Sequence, residues 1–275
     1  MNNPWNSRRP SARPPRATPL PRADAPTAGR NNGDELRLFG VNAVLAAFNQ
    51  RPQALRKLYL LEAQIPRMQP LLKWCVANRV GYRVVEDGDL NKLSGTTHHE
   101  GVVADVQREP VMPLVQWLQQ LPEGPVLALW LDGVGNPHNL GAILRSAAHF
   151  GVAGLLLPED STLGISGAAA RVAEGGAEAV PLVRLPDVAQ AMAQLRQAGF
   201  RLAATLVDGG ENVFAATLPE RLVYVMGAEA EGMDRTLAPQ CEQQVSIPGT
   251  GAVESLNVAS ATAVLLAQWA RARNS

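Results

Sequence analysis

From Val126 onward the chain repeats one pattern, an apolar strand, a loop and then a helix, and this alternation narrows what it can fold into more than any other feature. Val126–Leu131 and Gly154–Leu157 are almost unbroken apolar runs, with a helical stretch from about Leu140 to Phe150 between them. Further along, the periodicity predicts a helix over Val188–Ala198, strands over Arg201–Leu206 and Arg221–Met226, and a long terminal helix from about Leu256. Strands with no polar face, joined through helices, specify an α/β fold in which a parallel sheet carries helices on both faces.

The segment before this region reads as a separate, smaller α/β module. Val41, Val44, Leu45 and Phe48 fall at helical spacing, and Leu58–Leu61 follows as a short strand. A second apolar stripe, Met68, Leu71, Leu72, Cys75 and Val76, stops near Asn78–Gly81, and strands are expected over Tyr82–Val85 and Val102–Val106. The module covers residues 35–108, and a proline-bearing connector with one short helix, residues 109–124, joins it to the main domain, 125–275. Residues 1–34 form a basic tail. Six arginines and seven prolines stand there against few acids, a composition that cannot build a core. The tail serves either as a non-specific phosphate tether or as a solvated linker. Net charge over the whole chain is zero, so affinity for nucleic acid requires an uneven charge distribution.

In an open parallel sheet, ligands bind at the loops that follow the carboxyl ends of strands, and three such loops carry chemistry-bearing residues. The first, Asp132–Gly141, leads into a helix bearing Arg145. Its Gly-x-Gly lacks the third glycine of a dinucleotide-binding turn, so that reading is weak. Asn139 can be an ordinary helix cap. An arginine in the first half of a helix gains nothing from the helix dipole, and a bound phosphate would explain Arg145. The second loop, Gly227–Met233, brackets Glu229 between Gly227 and Gly232, which suits a close approach of backbone to ligand and equally suits a plain strand-to-helix turn. The third, Ile247–Val258, opens a helix of small residues fit for tight packing or self-association, and Ser255 can cap that helix.

Together these loops resemble the three signature motifs of the SpoU, or TrmH, branch of the SPOUT RNA methyltransferases. The resemblance runs over about 126–272. It is carried by Asn139-x-Gly141-x-x-x-Arg145-Ser146-Ala147, by Gly227-x-Glu229-x-x-Gly232 and by Ser255-Leu256-Asn257-Val258. Upstream, Phe39–Val44 and His99–Ala104 are similar to the ribosomal-L30e-like RNA-binding domain that precedes such catalytic domains. The resemblance implies transfer of a methyl group from S-adenosylmethionine to a ribose 2′-hydroxyl of tRNA or rRNA. It also implies a C-terminal trefoil knot, which general topology rules would not suggest, and a homodimer. The implied catalytic set is Asn139, Arg145, Glu229, Ser255 and Asn257. The implied cofactor set is Leu206, Gly227, Glu229, Gly232, Ile247, Ser255 and Leu256. Three departures stand out: Gly249 where the family commonly has Met, Asn136 in place of an acid, and Glu100 in place of Gln.

Other readings follow from composition. Four histidines and no Cys-x-x-Cys pair argue against a metal site. Cys75 and Cys241 are expected as buried free thiols, and Trp74, Trp117, Trp130 and Trp269 as core or dimer anchors. The absence of a long apolar run or a signal-like segment leads to the expectation of a cytoplasmic protein without a membrane segment. Two other functions compete with ribose methylation: a catalytically idle RNA-binding protein that keeps the fold, and a base-methylating enzyme.

Overall fold

A computed structural model describes residues 34–227 and 236–273. Residues 1–33 of the basic tail and the segment 228–235, with Glu229 and Gly232, therefore lie outside the described residues.

The small module contains β1 (Glu35–Phe39), α1 (Val41–Gln50), β2 (Leu55–Leu60), α2 (Ile65–Ala77), β3 (Gly81–Val84), α3 (Asp87–Ser94) and β4 (Val102–Gln107). Its sheet has the order β1-β4-β2-β3, with β2 and β3 parallel and the other pairings antiparallel. One face buries Leu38, Leu58, Leu60, Val102 and Ala104 with Val44 of α1 and Met68 and Leu71 of α2. The opposite face buries Phe39, Tyr59 and Val103 with Leu90 and Leu93 of α3. Strand β3, at the edge of the sheet, is exposed along its whole length.

The main domain continues with β5 (Met112–Pro113), α4 (Leu114–Gln120), β6 (Val126–Leu131), α5 (Pro137–His149), β7 (Gly154–Leu157), α6 (Gly167–Ala173) and α7 (Gly176–Ala179). It ends with β8 (Leu182–Arg184), α8 (Val188–Gln197), β9 (Arg201–Leu206), β10 (Glu211–Asn212), β11 (Arg221–Met226), β12 (Gln243–Ser246) and α9 (Val258–Arg273). All eight strands are parallel, in the order β10-β12-β9-β11-β6-β7-β8-β5.

Period-two alternation sends side chains to both faces. Leu127, Leu129 and Leu131 of β6 pack under α5, α6 and α9. Val126, Ala128 and Trp130 of the same strand pack under α4 and α8. Both faces are covered, which is why these strands read as continuous apolar runs. The segment expected as a connector is built into this sheet. Met112 and Pro113 pair with Val183 and Arg184 as an edge strand, and Trp117 stacks on Phe200 while donating from Nε1 to the Ala153 carbonyl at 3.0 Å. Trp117, Trp130 and Trp269 are buried, and so are both cysteines.

The chain reverses direction across the sheet between β6 and β11. Strands β7 and β8 extend to one side of β6, while β9, β11 and β12 lie on the other. Such a switch point opens a crevice at the carboxyl ends of the strands.

Candidate active site

Helix α5 begins beside this switch point. Asn136 Oδ1 accepts from the His138 N–H at 2.8 Å, and Pro137 occupies the first helical position. Proline there has a preset φ and lacks an N–H that would be unpaired anyway, so the helix starts at Pro137. This corrects the reading of Asn139 as the cap: Asn139 sits inside the first turn, and its side chain is free for another task. Its Oδ1 accepts from Asn257 Nδ2 at 3.2 Å, a contact spanning 118 residues.

Asn257 also resolves the cap of the terminal helix. Its Oδ1 accepts from the Ala259 N–H at 2.9 Å, and its carbonyl accepts from the Ala261 N–H at 2.9 Å. The helix therefore starts at Val258, and Asn257, not Ser255, caps it. The amide of Asn257 thus joins two helix N-termini, its oxygen serving its own helix and its nitrogen the other.

The second loop reaches the same end of the sheet by strand register. Val225 is level with Ala204, and Leu206 is level with Ser246. Continued by two residues, the register sets Gly227 beside Leu206, with Ile247 one step beyond Ser246 on the next strand. Thr205 Oγ1 donates to the Val225 carbonyl at 2.9 Å, and the Asp132 N–H donates to the Met226 carbonyl at 2.8 Å, which ties the loop after β6 to the end of β11. Leu206, Gly227 and Ile247 are half-buried, while Ser255, Leu256 and Asn257 are exposed.

Arg145 is exposed, six residues beyond Asn139 and so about 9 Å further along the helix axis. Among the described residues its side chain makes no hydrogen bond or ion pair. The structure thus brings Asn139, Asn257, Ser255 and Leu256 to one sheet end with Leu206, Gly227 and Ile247. It leaves Arg145 uncommitted on the helix that carries Asn139.

Gly141, inside the first motif, has a role that reading the sequence for chemistry missed. A Cβ there would lie 2.6 Å from the Ala169 carbonyl oxygen and 2.7 Å from Val172 Cβ, so glycine is what lets α5 and α6 touch. The signal was the glycine itself, set inside a helix where it lowers helical propensity. At Gly249, one of the departures, an added Cβ would meet nothing within 4 Å, so the loop has room for a side chain there.

Among the described residues no group of His, Cys, Asp and Glu is placed to hold a metal ion. His99 is buried in a turn, where its Nδ1 accepts from the Gly101 N–H at 3.0 Å and Nε2 lies 3.2 Å from Asn91 Oδ1. No described helix is long and apolar enough to cross a membrane.

Comparison with known proteins agrees with this architecture. The sequence profile of the SpoU rRNA methylase family matches residues 126–267, and that of the RNA 2′-O ribose methyltransferase substrate-binding domain matches residues 37–112. An uncharacterized tRNA/rRNA methyltransferase, YfiF, of Escherichia coli O157:H7 is 39% identical over 88% of this chain and 70% of its own length. The 23S rRNA (guanosine-2′-O-)-methyltransferase RlmB of Bordetella pertussis is 37% identical over 86% of this chain and 97% of its own length. In three dimensions, the SpoU methyltransferase AviRb of Streptomyces viridochromogenes, solved in complex with AdoMet, superposes with a TM-score of 0.75. It covers 90% of this chain and 95% of its own at 24% identity, and that likeness speaks to the fold.

Proposed function

The chain belongs to the SpoU rRNA methylase family, and from that premise we propose that it transfers a methyl group from S-adenosylmethionine to a ribose 2′-hydroxyl of RNA, in rRNA or tRNA. The observation that carries this reading is the Asn139–Asn257 hydrogen bond at the switch point, which joins two motifs 118 residues apart into one site.

The residues present suit the cofactor. Leu206, Gly227, Ile247 and Leu256 offer apolar surface and backbone groups to an adenosine, and none of them brings a cation that would repel a sulfonium. Glu229, Gly232 and Ser255 complete that set. When bound, S-adenosylmethionine supplies an electrophilic methyl group. The polypeptide has to hold the ribose oxygen in line and assist the loss of one proton. Arg145, exposed and uncommitted, anchors the RNA phosphate beside the target ribose. Its contribution there is a planar array of donors and a positive charge opposite the phosphate. Asn139, Asn257, Ser255 and Glu229 orient the sugar and the donor.

The remaining family features belong to the same proposal. The C-terminal segment forms a trefoil knot. Two copies pair through α9, whose Ala259, Ser260 and Ala261 leave room for close approach. The small domain, matched as a substrate-binding module, contacts the RNA. The protein works in the cytoplasm.

The test is incubation with tritiated methyl donor and total RNA from a strain lacking the gene. Label is expected in one size class of RNA and in a linkage resistant to alkali. Arg145→Ala and Asn257→Ala should each abolish it. Full turnover by both variants, or label in an alkali-sensitive linkage, overturns the reading.

A further inference from the structure

The two domains meet through a polar clamp laid over a continuous apolar seam. Arg51, at the end of α1, grips Glu178 of α7 with both arms: Nε to Oε2 at 2.6 Å and Nη2 to Oε1 at 2.8 Å. The two side chains retain 14% and 9% of their accessible surface. The third guanidinium nitrogen donates to the Gln107 carbonyl at 2.5 Å, which also fixes Arg51 to the last strand of the small domain.

Further contacts surround this pair. Asn42 donates to Glu174, Arg108 donates to the Ile165 carbonyl at 2.9 Å, and Arg171 lies 3.2 Å from Glu100, within ion-pair range. Beneath them Ala170 of α6 is part of the small domain's core, and Ile165 and Ala177 pack against the cores of both domains. The fit leaves no slack. A Cβ at Gly167 would stand 2.5 Å from the Arg37 carbonyl oxygen and 2.6 Å from the Phe39 ring.

The other side of the same two helices supports the candidate active site. Besides the Gly141 contact with α6, a Cβ at Gly176 of α7 would stand 2.5 Å from the Leu144 carbonyl oxygen and 3.0 Å from the Arg145 nitrogen. One pair of short helices therefore touches the small domain on one side and the backbone of Arg145 on the other. An apolar pair would give comparable stability at this position, because desolvating two charges offsets most of their attraction. What a bidentate ion pair adds is a defined orientation.

We propose that Arg51 and Glu178 are positioning residues for the methyl-transfer reaction: they hold the small domain at one fixed separation from Arg145, so that an RNA bound by the small domain is measured to the active site. The proposal rests on the RNA methyltransferase reading. Binding across two surfaces in a fixed geometry gains effective concentration, and that gain falls when the separation between them is no longer fixed.

The test compares wild type, Arg51→Ala, Glu178→Ala, the double variant and Arg51→Lys on two substrates. These are the full-length RNA that accepts the label and a short oligoribonucleotide centred on the labelled nucleotide, which reaches only the catalytic domain. For the long RNA, KM should rise about tenfold or more in either alanine variant, with kcat and the KM for S-adenosylmethionine unchanged. The double variant should be no worse than either single one, Arg51→Lys should recover part of the loss, and the short RNA should show no change. An unchanged KM for the long RNA, or equal weakening toward both RNAs, overturns the proposal. Spin labels on Lys73→Cys and Gln197→Cys test the fixed separation without catalysis. The distance distribution should be narrow in the wild type and broad after Arg51→Ala, and a broad wild-type distribution overturns the proposal whether or not RNA is methylated. A wild-type protein that labels no RNA yet gives the narrow distribution would refute the methyltransferase reading alone.

Discussion

Replacing Gly141 with alanine tests how the site is held, because the residue is buried and packs against α6. The new methyl group would meet the Ala169 carbonyl oxygen at 2.6 Å and Val172 Cβ at 2.7 Å. Ordinary contact begins near 3.4 Å, so α5 and α6 would have to part by about 0.8 Å. Neither neighbour is the free end of a flexible chain. Overpacking of this kind costs about 1–3 kcal/mol, and the rigid backbone partner argues for the upper end. Alanine recovers about 1 kcal/mol of helix propensity over glycine. The net loss is then about 2 kcal/mol, or a fall in Tm of about 4–8 °C for a domain of this size. Activity should suffer more than stability. Helix α5 carries Asn139 and Arg145, and a misplacement near 1 Å can cost on the order of 100-fold in rate. Thermal unfolding and methyl-transfer rates on one purified sample read both quantities. A variant that melts and turns over like the wild type would refute the idea that close packing of α5 on α6 sets the site.

Asn257→Ala should lose the cap of α9 as well as the bond to Asn139, lowering stability by about 1 kcal/mol, while Arg145→Ala, exposed and without a partner among the described residues, should leave the melting curve within about 0.5 kcal/mol of wild type; equal melting curves for the two would count against the cap assignment. Burial raises both cysteine thiols to about 11, so a thiol reagent at pH 8 should find almost no fast-reacting group in the native protein and two after denaturation; rapid native labelling would contradict the packing around Cys75 and Cys241. Burial alone would raise the Glu242 carboxyl, but the Leu202 N–H at 2.8 Å and the Arg196 guanidinium at 2.6 Å outweigh it and hold the group below its ordinary 4.5. A folded-state value below the unfolded one stabilises above about pH 4.5 and is lost as pH falls through the folded value. Glu242→Gln should therefore flatten the fall of Tm on acidification, and an unchanged slope would remove Glu242 from the acid response.

The sequence alone determined the parts in which local pattern and tertiary environment agree. Strands β6, β7, β9 and β11 were readable to the residue because both their faces are covered along most of their length, so nearly every position beyond the first is apolar. The first and third loops were legible as motifs, Asn139-x-Gly141-x-x-x-Arg145 and Ser255-Leu256-Asn257, and the family resemblance rested on them together with Gly227-x-Glu229-x-x-Gly232. Helices α6 and α7 were invisible for a physical reason. Pressed between α5 and the small domain, they are built mostly from glycine and alanine, which leave almost no hydrophobic contrast for periodicity to detect. Strand β12 escaped notice because Val245 is its only apolar residue. Only the tertiary structure decided which asparagine caps which helix, since Asn136, Asn139, Ser255 and Asn257 are all competent caps and the choice depends on where each helix begins. The same holds for the meeting of Asn139 with Asn257 and of Arg51 with Glu178. A bond across more than a hundred residues depends on how sheets and helices are stacked, and no local pattern along the chain encodes that distance.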